Sequence, residues 1–419
     1  MERGVKVTGA SAASDLLAPT SWPELFARRA SRGGDELTAI LSLAASSDVI
    51  TFSGGFPAPE TFPVEVLQGL TRTLLTDDSA LALQYSPTEG LPAARAAISS
   101  LIESRQGVAV DPADVLVTSG GIEALQLLTR TFVETGDRVL VEAPTYLGAI
   151  MAFAGFEAEV EGVAIDEGGL CVDELERALT VGPRPKLLYV IPDHQNPSGR
   201  TLPLERRRAL VETCARHHIL LVEDVAYREL AFAGGPQPSL WSMDPETVLQ
   251  IGTFSKTFFP GVRLGWAVGP RDVVAAMAVA KQNTDQCSGA LGQRLVQTAL
   301  TEGWYHPHVE QARRLYAHRG RLLMEAFDEH LAGVAEWTVP DGGFFSWVRI
   351  PGAETRALTV EAMADHVAVV PGAGFVGDRP DQEHVRLSYS RIGDDDLREG
   401  VRRLRGVVDR HLADAGRGG

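Results

Sequence analysis

A chain of 419 residues is too long for one small domain, and two or three domains are expected on it. With 44% apolar and 22% charged residues it has the composition of a globular protein that can bury a large core. A formal net charge of −16 argues against nucleic acid as a partner, because a polyphosphate needs a concentrated basic surface.

In chain order, the opening stretch is small and polar and reads as a mobile arm. It has no apolar signal core, and no stretch of the chain reaches the ~18 apolar residues of a membrane span. From Ser53, "SGGFPAPETFP" must be irregular backbone, given its glycines and prolines. Short apolar runs follow at 115–118, 138–143, 186–191, 219–224, 247–252 and 264–269, with helical stretches such as Ile122–Thr131 and Leu204–His217 between them. Fully apolar strands separated by helices predict a mostly parallel α/β sheet covered on both faces. The basic run at Glu205–Leu210 reads as an exposed helix face. After about residue 300 the pattern changes to a charged helix near Pro307–Leu331, then "FFSWVRI", "VAVVP", "HVRLSYS" and a last helix near Asp394–Leu412. The expected organisation is therefore an N-terminal arm and helix (1–52) packing with a small α+β domain (301–419), and a large α/β domain (53–300). Cys171, Cys214 and Cys287 are far apart, without metal spacing, which reads as a reduced cytoplasmic protein.

Ligands of open α/β sheets sit beyond the carboxyl ends of the strands. After "VLVT", Gly120 and Gly121 open a helix, either as an anion site of free amides or as a plain strand-to-helix turn. After "LLYVI" comes "PDHQNPSG", with Asn196 on a Pro-fixed turn. Asp224 ends "ILLVED" and precedes Tyr227; it is a helix cap or the partner of a cationic ring nitrogen. Lys256 follows "VLQIGT" within "TFSKTFFPGVRLGW". Each feature alone has an ordinary structural explanation. Together they place a lysine nucleophile, an acid, a donor, an aromatic and anion binders at one end of one sheet. That set suits an aldehyde cofactor with a phosphate and a pyridine ring.

The phrases "QYSPTEGLPAAR", "VEAPTYLGAI", "QNPSG", "VEDVAYREL", "TFSKTFFPGVRLGW", "GGFFSW" and "VRLSYS" occur in this order between Ser53 and Arg391. In them the chain resembles the class I/II, fold-type-I pyridoxal-phosphate aminotransferases, nearest the 2-aminoadipate and kynurenine subgroup. The resemblance implies a seven-stranded, mostly parallel sheet and pyridoxal 5'-phosphate held as a Schiff base on Lys256, which also moves the substrate Cα proton. It implies that Asp224 pairs with the ring nitrogen, that Tyr227 and Asn196 donate to the ring oxygen, and that Tyr146 stacks on the ring. The phosphate is expected at the amides of Gly121 and Ile122, the hydroxyls of Thr253 and Ser255, and Arg263. Tyr85 is expected to reach the phosphate of a neighbouring subunit, so that the site needs a homodimer. Arg386 is expected to bind the substrate α-carboxylate, beside Asn196, with Gly55 letting the substrate lie against backbone. Its ordinary alternative is a salt bridge on a strand. Arg28, Arg29 or Arg32 could select an acidic substrate tail or be a solvated face.

Four departures stand out. Ile122 lacks a polar side chain for the phosphate, and Glu123 puts a negative charge close to it or serves the helix N-terminus. His194 is an extra acid/base or an exposed turn residue, and Gln286-Cys287-Ser288 stand where His-Thr is expected. The expected activity is amino transfer from an amino acid to a 2-oxo acid. Elimination, substitution or cyclisation on the same cofactor is the alternative. A DNA-binding regulator is disfavoured, since the segment before Ser53 is short and weakly basic.

Overall fold

The apolar runs of the middle region fold as strands close to where their sequence places them. The computed structural model describes residues 22–31, 48–376 and 381–415. Its large sheet contains β1 (Leu116–Thr118), β2 (Arg138–Ala143), β3 (Glu159–Asp166), β4 (Gly169–Leu170), β5 (Leu187–Val190), β6 (Leu220–Asp224), β7 (Val248–Thr253) and β8 (Gly265–Val268). Their order is β1-β8-β7-β6-β5-β2-β3-β4. The pairs β2/β3, β2/β5, β5/β6 and β6/β7 are parallel, whereas β8 runs antiparallel to both β1 and β7. The expected seven strands are thus present, and a two-residue antiparallel strand, β4, extends the edge.

Alternation along the central strands sorts their side chains onto two cores. Val139, Val141, Leu187, Tyr189 and Val222 enter one apolar cluster, while Leu140, Leu188, Val190 and Leu221 enter the other. Both faces are covered, and this is why these strands carry no polar alternation. β3 is different: it lies next to the edge, partly exposed, with Glu159 and Glu161 in a run that no apolar count finds.

A second, antiparallel sheet holds β9 (Glu336–Trp337), β10 (Phe345–Arg349), β11 (Val370–Pro371) and β12 (His384–Ser388), in the order β9-β10-β12-β11. The helices Tyr305–His330 and Asp394–Ala415 pack on one another beside it. The chain before the large domain joins this side: Ile50–Thr51 pairs in parallel with Val367–Ala368, and the Phe52 amide donates to the Ala368 carbonyl at 2.8 Å. Of the expected N-terminal arm and helix, the described residues 22–31 form two 3-10 turns, Trp22–Leu25 and Arg28–Ser31. The remainder of the 1–52 arm up to residue 47, including Arg32, lies outside the described residues.

One glycine shows how tightly β7 and β8 meet. Gly252 pairs with Trp266, and a Cβ there would lie 2.1 Å from the indole Cζ2. Gly252→Ala is expected to destabilise the protein by about 1–3 kcal/mol through overpacking. Urea unfolding checks it, and an unchanged midpoint would contradict this packing.

Candidate active site

The carboxyl ends of β2, β5, β6 and β7 reach the same rim, and there a cavity of about 260 Å³ opens. Gly54–Phe56 and Arg386 from β12 close its other sides, so both sheets and the early chain contribute. All the expected site residues line it except Tyr85.

Lys256 leaves the rim just beyond β7, and its Nζ donates to the Gly55 carbonyl at 2.8 Å. Burial lowers its pKa to about 8; the positive charge of Arg386 adds to this and the negative charge of Asp224 opposes it. Asp224 ends β6 and is buried. Its Oδ2 accepts from the Tyr189 hydroxyl at 2.7 Å and its Oδ1 from the Ala226 amide at 3.0 Å. Burial still holds this carboxyl above the ordinary aspartate range, the signature of an acid whose charge wants a cation. Beneath it Glu142, pushed up to about 8 by burial, accepts from the Ile191 amide (2.9 Å) and Gln195 Nε2 (3.2 Å).

Arg386 is only 5% exposed, and among the described residues no carboxylate pairs with it. Its Nη1 donates to Asn196 Oδ1 at 3.0 Å and its Nη2 to the Ser53 carbonyl at 2.5 Å, and its Nε has no partner. The guanidinium lies 4.5 Å from the Phe345 ring centroid and 5.0 Å from that of Phe375. The salt-bridge alternative is thus replaced by a buried cation lacking an anion, which a ligand carboxylate suits. Because Asn196 Oδ1 serves Arg386, its Nδ2 is left to donate. Burial raises the Tyr227 phenol far above its usual range, so it stays a donor; Tyr146 is raised to about 12 for the same reason.

At the opposite end, Gly120 has φ +95° and opens the helix Gly121–Phe132. That φ favours glycine, and a Cβ there would also press on the end of the Arg263 side chain. Arg263 donates to the Ser119 carbonyl at 3.1 Å and to Ser255 Oγ at 3.4 Å. The Thr253 and Ser255 hydroxyls are 3.0 Å apart. Helix amides, two hydroxyls and an arginine converge there, the donor set of a phosphate site.

The unpartnered Arg386 Nε, the amine eased toward neutrality and the buried acid fit pyridoxal phosphate and an amino acid. Lys256 would hold the aldehyde carbon, Asp224 the ring nitrogen, and the Arg263 end the phosphate.

One expectation is corrected and one alternative is decided. His194 is neither on the cavity nor exposed. It is 3% exposed at φ +52°, and its Nδ1 lies 2.8 Å from Asp341 Oδ1, where it ties the Asn196 loop to the turn before β10. Gly342 and Gly343 press on its ring, which an added Cβ at 342 would meet at 2.3 Å. For Glu123 the second alternative holds: it does not line the cavity and accepts from the Ser119 amide, just before the helix N-terminus. Tyr85 is 78% exposed and does not reach this chain's own cavity. Sequence reasoning missed Tyr189 and Glu142. The rule that singled out Asp224, an acid closing a buried strand, applies equally to Glu142 in "RVLVEA".

Residues 47–404 match the family described as aminotransferase class I and II. Aromatic-amino-acid aminotransferase 1 of Thermococcus litoralis is 34% identical over 95% of this chain and 97% of its own. The 2-aminoadipate transaminase of Thermus thermophilus is 36% identical over 92% of this chain and 97% of its own. The crystal structure of an alpha-aminoadipate aminotransferase from Thermus thermophilus, complexed with N-(5'-phosphopyridoxyl)-L-leucine, matches with a TM-score of 0.88 at 35% identity. The match covers 94% of this chain and 100% of that one.

Proposed function

Because the chain belongs to the class I and II aminotransferases, and so moves an amino group between an amino acid and a 2-oxo acid with pyridoxal phosphate, we propose that Lys256 anchors the cofactor and carries the proton. The cofactor, when bound, supplies an aldehyde for the amine and a ring that withdraws electrons from the substrate Cα. Lys256 Nζ holds the aldehyde carbon, and a half-neutral amine near pH 8 is suited to do so. Lys256 Nζ would also take the proton from the substrate Cα and hand it on within the site. Asp224, steadied by Tyr189 and the Ala226 amide, keeps a proton on the ring nitrogen. Tyr227 and Asn196 would donate to the ring oxygen, and Tyr146 would stack on the ring. The Gly121 and Ile122 amides, Thr253, Ser255 and Arg263 hold the phosphate.

Arg386 receives the substrate carboxylate beside Asn196. Gly55 lines the cavity and is proposed to let the substrate lie against its backbone; a Cβ there would also meet Phe345 Cζ at 2.7 Å. The rest of the wall is apolar, built by Phe56, Ile122, Leu125, Leu147 and Phe375, and it favours an amino acid with an apolar side chain. The observation that carries the reading is the unpaired, buried Arg386 sharing one cavity with the depressed amine of Lys256. A panel of amino acids added to the loaded enzyme tests it: apolar donors are expected to bleach the aldehyde absorbance fastest, each matched by its 2-oxo acid. Release of ammonia, or a cyclic product, would favour the elimination or cyclisation alternative instead.

Arg386→Lys keeps the charge but loses the paired geometry. KM for the amino donor is expected to rise about 100-fold with a smaller change in kcat. An unchanged KM would remove Arg386 from the carboxylate site.

We also propose a homodimer, in which Tyr85 of each copy reaches the other's phosphate. Tyr85 is exposed, as are Leu75, Leu81 and Leu83 close to it in sequence, which supports cover by a second copy. Light scattering is expected to give twice the 45.0 kDa chain mass. The cysteines, free of disulfides, support a cytoplasmic home.

A further inference from the structure

Behind the anion-binding turn, away from the cavity, lies a cluster of charge around a buried lysine. Lys281, on the helix Arg271–Gln282, is 0% exposed. Its Nζ donates to both Glu123 oxygens at 2.8 Å and to the Asp285 oxygens at 2.8 and 2.9 Å. None of the three lines the cavity. We propose that Glu123, Lys281 and Asp285 are positioning residues that fix the turn Ser119–Gly121 and so set how tightly the phosphate end of the cofactor is held. The proposal rests on the phosphate assignment made above.

Ser119 is where the cluster meets the turn. Glu123 Oε2 accepts from its amide, and Asp285 Oδ2 from its hydroxyl at 3.1 Å. Ser288 Oγ lies 3.2 Å from that hydroxyl, and Arg263 holds the Ser119 carbonyl from the other side at 3.1 Å. Amide, hydroxyl and carbonyl are therefore all gripped one residue before Gly120 turns at φ +95°. That rotation aims the first amides of the helix, which have no partner within it, at the cavity.

Charge explains why three residues are needed. A carboxylate in the first turn of a helix competes with any anion bound at the same positive end. Glu123 takes the Ser119 amide, outside the helix, and leaves those of Gly121 and Ile122 unclaimed. Lys281 then offsets the two carboxylates. Burial raises the Glu123 carboxyl. Burial also pushes Asp285 upward, but hydrogen bonds to Glu123 and Lys281 outweigh it and bring that carboxyl down. Without Lys281 a half-buried and an exposed acid would stand uncompensated behind an anion site.

The test separates phosphate grip from general damage. Cofactor-free wild type, Lys281→Met, Glu123→Gln and Asp285→Asn are titrated with pyridoxal phosphate and, separately, with pyridoxal, which lacks the phosphate. Binding is followed by absorbance. Wild type is expected to prefer the phosphorylated form strongly. In Lys281→Met the affinity for pyridoxal phosphate is expected to fall about 10–100-fold, the range of one or two lost hydrogen bonds to an ion. Affinity for pyridoxal is expected to stay nearly constant, so the preference collapses; Asp285→Asn follows to a smaller degree. Glu123→Gln keeps an acceptor for Ser119 and is expected to lose less than Glu123→Ala. If the variants weaken both ligands equally, or neither, the cluster is only structural and the proposal is overturned. If Lys281→Met does not fold, the Asp285 and Glu123 variants decide by the same ratio. A wild type with no preference overturns the phosphate assignment itself, together with what rests on it.

Discussion

Lys256→Met is expected to stop amino transfer and, at neutral pH, to raise the melting temperature of the cofactor-free protein. The first effect follows from losing both the anchor and the proton carrier, and kcat should fall by at least about 1,000-fold. Borohydride reduction of the loaded wild type should leave its label on the peptide bearing Lys256, and the variant should carry none. The second effect comes from linkage. Lys256 titrates near 8 in the folded protein, against 10.5 ordinarily. Between those values the unfolded chain binds more protons than the folded one, so stability rises with pH across that window. The cost is present in full below about pH 8 and is relieved by about 10.5. Each pH unit of depression corresponds to about 1.4 kcal/mol. Methionine removes that cost. The melting advantage of the variant should shrink as pH rises toward the upper value. An advantage independent of pH would mean that the amine is not penalised by its site, and persistent transfer would remove Lys256 from the chemistry.

The second large effect is expected at Asp224. Asp224→Asn preserves shape: its one oxygen can still accept from the Ala226 amide, the Tyr189 hydroxyl can rotate to accept from the new NH2, and the fold should survive with little loss. What disappears is the negative charge opposite the ring nitrogen. Removal of one preorganised electrostatic partner ordinarily costs about 100–1,000-fold in rate, and that loss is expected in the first half-reaction, followed by absorbance in stopped flow. Asp224→Ala should behave worse, since it also strands the Tyr189 hydroxyl and an amide, each costing about 1–3 kcal/mol when unsatisfied. Equal rates for wild type and the asparagine variant would show that the ring needs no partner here.

The rim of this site could be read from the sequence because a parallel sheet makes it predictable: residues that follow buried apolar runs stand together at one end. Asp224, Asn196, Gly121 and Lys256 all come from such positions. Arg386 does not. It sits on a strand of the other sheet, opposite Trp347, and only the resemblance to a family pointed to it. β3 escaped because its acidic residues break the apolar run; its pairing with β2, from Glu159 opposite Arg138 onward, makes it a strand. The partnership of Lys281 with Glu123 joins residues far apart in the chain, and no local pattern announces it. His194 was read by its neighbours in sequence, whereas its surroundings are Asp341, Gly342 and Gly343 from the other side of the molecule.

Arg386 lies on β12, while every proposed cofactor contact of this chain precedes β8. During translation the amine, the acid and the anion cradle therefore leave the ribosome long before the group assigned to recognise substrate. Nascent chains gain the parts that retain the vitamin first and the grip on the substrate carboxylate last.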